Sequence, residues 1–251
     1  MNQLLRWAEV LGEVTELTGR SIRALFRRPW DFGSWVVQME QLGVSSLGVA
    51  AITTTFTGMV LALQYALGFA ALGGKWYVGS IVSASLVREL GPVLTALVVG
   101  GRIGSGMTAE IGTMKVTEQV DAMRSMAADP VKKLVVPKLA ATLLMLPCLT
   151  ILGDALGILG GLLIAIYELD VSPGLYLNDV LDSLAIGDIV SGVGKTFFFG
   201  YFIAIIGCYN GLTADGGADG VGRATTNTVV FSSISILVSD FFLTKLFSII
   251  V

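Results

Sequence analysis

Long apolar runs with few charges dominate the chain after its first forty residues. Four runs are almost free of charge: Val44–Lys75, Leu139–Tyr167, Thr196–Ala214 and Ala224–Val251. A fifth, Tyr77–Ala109, is broken by Arg88, Glu89 and Arg102 but is too apolar to lie in water. A helix needs about 20 mostly apolar residues to cross a bilayer. The pattern predicts five membrane segments, of which the first can be either a full span or a re-entrant segment.

The apolar runs favour helices over the strands of a membrane barrel. Barrel strands alternate apolar and polar residues over about ten positions, whereas these runs are apolar on every side. The pattern therefore predicts an all-α integral membrane fold. Residues 41–251 should form a single transmembrane domain.

The first forty residues show a different pattern, in which apolar residues recur at helical spacing among polar ones. The apolar stripe consists of Leu4, Trp7, Ala8, Leu11, Val14, Ile22, Leu25 and Phe26. An amphipathic helix flanked by arginines is typical of the membrane interface, and Trp30 and Trp35 would then lie at headgroup depth. We expect residues 1–40 to form an interfacial helix, with a soluble tail as the alternative.

Basic residues set the expected orientation of these helices. The chain is 54% hydrophobic and only 14% charged, which is typical of a membrane protein. Five arginines lie in the first 43 residues and six basic residues in 102–138, while 139–194 has acidic residues and no Lys or Arg. Basic loops stay in the cytoplasm. With five crossings the N-terminus should be cytoplasmic and the C-terminus external, with 213–223 as a cytoplasmic loop.

The stretch SGVGKT, Ser191–Thr196, resembles the phosphate-binding loop of nucleotide hydrolases. That loop needs a glycine five positions before Gly194, where this chain has Ile189, and no strand precedes it. The topology also places the stretch at the outer end of the fourth segment. We expect Lys195 to snorkel to the interface, and Gly192, Thr196 and Gly200 to form a small-residue packing ridge.

Residue counts weaken other chemistry. The chain has no histidine and two cysteines, and Cys148 and Cys208 lie singly in different apolar segments. Histidine-based triads and metal sites are therefore excluded, and no catalytic or metal-ligating cluster is evident. We expect no catalytic residue, no metal site and no cofactor in this chain.

The most informative stretch lies between the second and third apolar segments. Apolar residues at helical spacing predict a helix from Glu110 to Met126, which Asp129 and Pro130 would end. A helix too polar to insert needs a surface to lie against. Its polar face mixes acidic and basic residues, whereas a helix on the membrane surface favours a basic face. A protein partner is the favoured interpretation.

Ionisable residues inside the apolar segments are costly, about 2.5–3.5 kcal/mol each at a helix centre. Arg88 and Glu89 should therefore pair or face a cavity, just before a candidate kink at Gly91–Pro92. An ion pair that only anchors the helix is an equal alternative. Asp154 lies beside a glycine ladder (Gly153, Gly157, Gly161), so close helix packing explains it as well as a functional site does.

Three stretches make the chain similar to a known family. "LVRELGPVLTAL", "GRIGSGMTAEIGTMKVTEQVDAMRSMAADP" and "GRATTNTVVFSS" resemble, in order and spacing, the MlaE/YrbE family of ABC-transporter permeases. The likeness covers the chain from about Val44 onward. Residues 1–40 resemble the family only in their general pattern, which is that of an amphipathic helix rich in basic residues.

The resemblance implies a fold and a set of partners. It implies an MlaE-type permease in the inner membrane that moves phospholipids or related lipids between envelope membranes. The permease would be a homodimer with a separate cytoplasmic ATPase that binds ATP and magnesium, a STAS-domain subunit and an external hexamer of MCE-domain proteins. No nucleic-acid partner is expected.

The resemblance also assigns residue roles. It turns the stretch of about 110–128 into a coupling helix. The residues that would contact the ATPase or brace the helix are Glu110, Gly112, Thr117, Glu118, Gln119 and Asp121. A solvated helix face is the alternative. It places a lipid pocket between the two subunits, lined by Leu61, Phe69, Leu72, Arg88, Glu89 and Leu90.

Two further functions stay open. An ion-coupled secondary transporter would use Arg88, Glu89 and Asp154 to relay protons or hold substrate, but it has no need of a cytoplasmic docking helix. A structural scaffold of an envelope complex would tolerate changes in that helix.

Overall fold

The computed structural model describes residues 2–27, 31–69 and 77–250, with side chains for 8–27, 31–68 and 77–249. All regular structure in these ranges is helical. The α-helices are α1 Asn2–Leu25, α2 Phe32–Leu42, α3 Leu47–Phe69, α4 Val78–Ser85, α5 Gly91–Val116, α6 Gln119–Ser125, α7 Val136–Leu169, α8 Pro173–Ser183, α9 Ile186–Leu212 and α10 Gly217–Ile250.

Within the described residues, five helical segments are long and apolar enough to cross a membrane. They are Phe32–Gly68, Val78–Val116, Val131–Leu169, Ile186–Leu212 and Gly217–Ile249. The first contains α3, whose 23 residues correspond to about 35 Å of helix, more than the roughly 30 Å hydrocarbon core. The predicted all-α membrane fold with five segments is confirmed.

Several predicted boundaries were wrong. Helix α9 begins at Ile186, ten positions before the expected start at Thr196, because Lys195 lies within the helix. Helix α10 begins at Gly217, so most of the glycine-rich stretch predicted as the loop 213–223 is helical. The helix predicted from Glu110 to Met126 is two helices, α5 and α6, which are separated at Thr117 and Glu118.

In the described part of the chain, two of the segments contain π-helical turns, Leu86–Leu90 and Val131–Val135. The first lies directly before Gly91, where the sequence predicted a kink at Gly91–Pro92. Such turns insert one extra residue into a helix and are frequent at functional sites. Arg88 and Glu89 belong to the first turn, and Lys132 and Lys133 to the second.

The chain forms two compact units. One comprises Met1–Ser45, Gly100–Met145 and Phe199–Ser235, and the other Ser46–Val99, Leu146–Phe198 and Ile236–Val251. We call them unit 1 and unit 2. The predicted partition into an interfacial helix (1–40) and one transmembrane domain (41–251) stays a prediction.

In unit 1, hydroxyl groups join α5, α9 and α10 at close range. Thr108 Oγ1 donates to the carbonyl oxygen of Gly207 at 2.9 Å and lies 2.8 Å from Thr228 Oγ1. Asn210 Nδ2 donates to Thr228 Oγ1 at 2.9 Å. A Cβ at Gly207 would lie 3.1 Å from the carbonyl oxygen of Gly104, so the two backbones nearly touch.

In unit 2, the predicted glycine ladder packs α7 against α3. A Cβ at Gly157 would lie 3.0 Å from the carbonyl oxygen of Thr54, and one at Gly58 would overlap the backbone of Gly157. Gly161 leaves room for the hydroxyl of Tyr176, which donates to the carbonyl oxygen of Ile158 at 3.1 Å. The close-packing interpretation of this ladder is confirmed.

Candidate functional site

Helix α6 is a short element fixed at both ends. It has seven residues, and Glu118 before it and Ala127 after it have φ values of +62° and +59°. Few non-glycine residues adopt this left-handed conformation, which costs about 1–3 kcal/mol and persists where the surrounding structure enforces it. The two residues set the chain direction on either side of α6.

Side-chain contacts hold α6 against the end of α5. Lys115 Nζ donates to Asp121 Oδ2 at 2.7 Å, and Arg124 Nη1 donates to Asp121 Oδ1 at 3.2 Å. The hydrogen bond from Lys115 holds the pKa of the Asp121 carboxyl below its usual range. Val120, on the same helix, is fully buried, so α6 has a defined orientation.

The six predicted coupling residues fall into two groups. Thr117, Glu118 and Gln119 form an exposed turn, in which Gln119 Nε2 donates to Thr117 Oγ1 at 3.1 Å, and Asp121 lies beside it. Gly112 is buried, and a Cβ there would lie 3.3 Å from Ala214 Cβ and from Val221 Cγ1. Gly112 therefore packs within unit 1. This placement agrees with a role in bracing the coupling helix instead of contacting the ATPase.

Glu110 belongs to the second group because it is the counterion of a buried lysine. Lys138 Nζ donates to Glu110 Oε2 at 2.5 Å and to Gln38 Oε1 at 3.0 Å. The Lys138 side chain is only 2% exposed, whereas that of Glu110 is 48% exposed. These bonds join α2, α5 and α7. Sequence reasoning missed Lys138 and Gln38, since Lys138 counted only as one basic residue of a cytoplasmic stretch.

Lys195 is the centre of a charged cluster in unit 2. Its side chain is 2% exposed, so the expectation that it snorkels to the interface was wrong. Lys195 Nζ donates to Glu89 Oε2 at 2.7 Å, to the Arg88 carbonyl oxygen at 3.1 Å and to Thr244 Oγ1 at 2.7 Å. Those bonds use all three of its N–H groups. Asp240 Oδ1 lies 3.3 Å from the same nitrogen.

Arg88 forms a separate ion pair. Its Nε and Nη2 atoms lie 2.8 Å and 3.0 Å from the two carboxylate oxygens of Asp188. Asp188 Oδ2 also accepts from the backbone N–H of Ala185 at 3.1 Å, at the start of α9. Arg88 and Glu89 were expected to pair or face a cavity. Each pairs with a residue on α9, and Glu89 also accepts from Thr244 Oγ1 on α10 at 3.1 Å.

The Lys195 cluster and the neighbouring Arg88–Asp188 pair together carry more anions than cations. Glu89, Asp188 and Asp240 are opposed by Arg88 and Lys195, which leaves a formal charge of −1 (two positive, three negative). The signal available in the sequence was the presence of Lys195 directly before one apolar segment and of Asp240 inside another, because ionisable groups at such positions need counterions.

The other predicted lipid-binding residues are partly described. Leu61 and Leu90 are partly buried and pack against the apolar core of unit 2, which includes Val82, Leu86 and Tyr176. Leu72 lies outside the described residues, and so does the side chain of Phe69.

Asp154 is buried on α7 and 7% exposed. Within the described part of the chain its Oδ1 atom has no hydrogen-bond partner. A Cβ at Gly91 would overlap that oxygen, so Asp154 packs against the start of α5. This contact supports close helix packing as the role of Asp154.

The SGVGKT stretch lies within α9 and forms no loop. A Cβ at Gly192 would overlap the carbonyl oxygen of Val87, and one at Gly194 would lie 2.8 Å from the ring of Phe247. Its glycines therefore serve helix packing, as predicted for Gly192. Across the described residues, no group of three or more His, Cys, Asp or Glu side chains is placed to hold a metal ion.

Comparisons with known proteins agree with this architecture. The family model "Permease MlaE" matches residues 35–246. A probable ABC transporter permease protein of Rickettsia bellii is 44% identical over 243 residues, which cover 97% of this chain and 94% of the relative. A probable ABC transporter permease protein of Synechocystis is 42% identical over 245 residues, 98% of this chain and 93% of the relative.

A plant relative matches at a lower level. The Arabidopsis thaliana protein TRIGALACTOSYLDIACYLGLYCEROL 1, chloroplastic, is 37% identical over 235 residues, 92% of this chain and 66% of the relative.

The family model covers well over half of the chain. It includes all or most of each of the five apolar segments. The chain belongs to the MlaE permease family of ABC transporters and is a multi-pass membrane protein.

Proposed function

We propose that this chain is the membrane subunit of a transporter that moves phospholipids or related lipids between membranes of the cell envelope. Energy would come from a separate ATPase, which binds ATP and magnesium and contacts the chain at α6. The observation that carries this proposal is the exposed turn Thr117–Gln119, which leads into helix α6. This helix is held in place by the bonds of Asp121 and by the burial of Val120. Because α6 is held rigidly, it can transmit a movement of the ATPase to the membrane segments.

The assembly we propose follows the family. The permease is a homodimer in the inner membrane, with a cytoplasmic N-terminus and a periplasmic C-terminus. Its partners are the ATPase, a STAS-domain subunit and an external hexamer of MCE-domain proteins. A lipid substrate is supported by the plant relative, whose name is that of a glycolipid.

The test of coupling is reconstitution of the chain in liposomes with and without the ATPase. Glu118→Lys reverses a charge on the exposed turn, so it should abolish ATP-dependent lipid transfer while membrane insertion is unchanged. Glu9→Lys makes the same change at an exposed position of α1 and should transport normally. Normal transport by Glu118→Lys would remove α6 from the ATPase contact and favour a scaffold.

The charged residues of unit 2, among which Lys195 and Asp154 are buried, are the observation that favours an ion-coupled carrier. Such a carrier would transport lipid in liposomes under a pH gradient with no ATPase present. We expect no transport under that condition, because the three N–H groups of Lys195 are already bonded within the chain.

The lipid pocket is tested by photocrosslinking. A photoreactive residue at Leu61 or Leu90, both partly buried, should capture the transported lipid more strongly when ATP drives transport. Leu237, an exposed residue of α10, serves as the control and should capture bulk lipid whether or not ATP is present. Equal ATP dependence at all three positions would refute the pocket.

A further inference from the structure

A groove in unit 1 lies where two membrane segments begin. It has a volume of about 380 Å³ and lies between the region around α2 and the start of the third span. Its walls include Arg27, Trp35, Lys132, Lys133 and Pro137. One candidate span begins at Phe32 and another at Val131, so the groove lies beside the starts of two segments that are long and apolar enough to cross a membrane.

The charges around the groove favour an anion. Three cations line it, Arg27, Lys132 and Lys133, together with two carboxylates, Asp31 and Asp129. Both carboxylates have partners of their own. Asp129 Oδ1 lies 3.3 Å from Arg20 Nη2 and accepts the backbone N–H of Val131 at 3.0 Å.

Asp31 is likewise engaged. It caps α2 through Ser34, whose hydroxyl donates to Asp31 Oδ2 at 2.8 Å and whose backbone N–H donates to Oδ1 at 3.3 Å. The Lys133–Asp31 pair is long, 3.7 Å, and both side chains are more than half exposed. Such a pair is weak, so a phosphate can compete for the lysine.

The π-helical turn Val131–Val135 presents two adjacent lysines at this groove. Lys132 is partly buried and Lys133 exposed. Arg27 contributes from the segment after α1. A phosphate bound here would therefore contact cations from two separate parts of the chain.

Apolar side chains adjoin the groove residues Arg27, Asp31 and Trp35 in the sequence. Phe26, Phe32 and Val36 are strongly exposed, and the ring of Phe32 packs edge-on against Trp35 with centroids 5.5 Å apart. Exposed apolar residues next to an aromatic ring and a basic groove match the two parts of a lipid, acyl chains and phosphate.

We propose that this groove binds the phosphate of an anionic phospholipid from the adjacent leaflet. The site belongs to a single chain and needs neither the ATPase nor transport. It is separate from the lipid-binding residues proposed above, which lie in unit 2. An anionic lipid held here would fasten the start of the third span to the α1–α2 region.

Native mass spectrometry of the full chain in detergent tests the site. Short-chain phosphatidylglycerol, short-chain phosphatidylcholine and inorganic phosphate are titrated separately. We expect phosphatidylglycerol to bind at least tenfold more tightly than the other two. Equal binding of both lipids would overturn the proposal. Inorganic phosphate binding as tightly as phosphatidylglycerol would overturn the lipid assignment in favour of a soluble anion.

Matched variants locate the site. Lys132→Gln/Lys133→Gln should lose at least tenfold in affinity for phosphatidylglycerol, and Lys132→Arg/Lys133→Arg should retain it. Arg23→Gln/Lys245→Gln removes two charges at exposed positions outside the groove and should bind like the unmodified chain. If the first variant binds as tightly as this control, the groove is not the site.

Discussion

Lys138 and Lys195 are both almost fully buried, and each is surrounded by oxygen atoms from other helices. Removing an ammonium group from water costs several kcal/mol, which only close counterions and hydrogen bonds offset. A buried lysine therefore fixes the positions of the helices that supply its partners. In this chain, Lys138 fixes the positions of α2 and α5. Lys195 fixes the positions of the π-helical turn before α5 and of α10.

Replacing Lys195 with methionine should destabilise the chain. The substitution keeps the volume but leaves the carboxylates of Glu89 and Asp240 without their cation. Removing one partner of a buried pair costs roughly 3–5 kcal/mol. Glu89 is 40% exposed, which places the expected loss near the lower end of that range. Thermal unfolding in detergent measures it.

The control for Lys195→Met is Lys245→Met, at an exposed position of α10. It should leave the unfolding temperature almost unchanged. If the two variants unfold at the same temperature, the ion pairs of Lys195 do not contribute to stability.

Gly58 allows a close backbone approach between α3 and α7. In Gly58→Ala the new Cβ would overlap the carbonyl oxygen of Gly157, and a backbone atom cannot rotate away. We expect a clear loss of thermal stability. Gly48→Ala lies on the same helix, where no described atom comes within 4 Å of a Cβ. It should be neutral or slightly stabilising, because alanine favours helices by up to about 1 kcal/mol.

Sequence reasoning at this scale predicted the packing of the glycine ladder and the pairing of Arg88 and Glu89, but it did not predict the burial of Lys195. The spacing of Gly153, Gly157 and Gly161 lies within one helix, so a local pattern predicted their packing. The partners of Lys195 are 106 and 45 residues away, at Glu89 and Asp240. No spacing rule links Lys195 to these carboxylates. The sequence therefore predicted only that Lys195 lies at the end of a membrane segment, exposed to the interface.

At the scale of elements, the chain between the second and third spans illustrates the same limit. Helical spacing correctly indicated a helix near Val120, but the pattern runs on from Glu110 without a glycine or proline at the break. The interruption arises at Glu118, whose left-handed backbone has no marker in its residue type. Such a conformation depends on tertiary contacts.

The pairing of Asp121 with Lys115 predicts a pH dependence. The hydrogen bond lowers the pKa of the carboxyl relative to its usual value of about 3.9. A lowered pKa contributes stability above that usual value, and the contribution is lost as the pH falls through the lowered one. The pair should therefore be intact at neutral pH. NMR titration of Asp121 should give a midpoint below 3.9.

Lys115→Gln serves as the comparison for this titration. It removes the charge that lowers the pKa, so the midpoint of Asp121 should move up towards the usual value. Arg124, the second partner, lies 3.2 Å from the same carboxylate. Its charge should keep the pKa of Asp121 from rising fully to the usual value. An unchanged midpoint would show that Lys115 does not hold α6.

At the scale of the whole molecule, the five spans differ in how much of their surface the chain itself covers. The most apolar windows of the second, third and fourth spans are 44% buried, whereas those of the first and fifth are 28% and 17% buried. Helix α10 exposes many large apolar side chains, among them Phe241, Phe242 and Ile249. These surfaces suit lipid or the second subunit of the proposed homodimer.

The predicted orientation of the spans rests on the distribution of charges and can be measured at the two ends of α9. Asp182 and Asp215 are exposed and lie on either side of this helix, whose 27 residues span about 40 Å. In a background with Cys148 and Cys208 replaced by alanine, Asp182→Cys should react with a membrane-impermeant maleimide only from outside. Asp215→Cys should react only in inverted vesicles.

Gln119→Cys adds the position on which coupling depends. It should label from the same side as Asp215→Cys, because the segments between residues 119 and 215 cross the membrane an even number of times in the five-span arrangement. An ATPase can reach α6 only on that side, since ATP is available in the cytoplasm. Labelling of Gln119→Cys from outside would therefore contradict the orientation and the proposed ATPase contact together, whereas Glu118→Lys tests the contact alone.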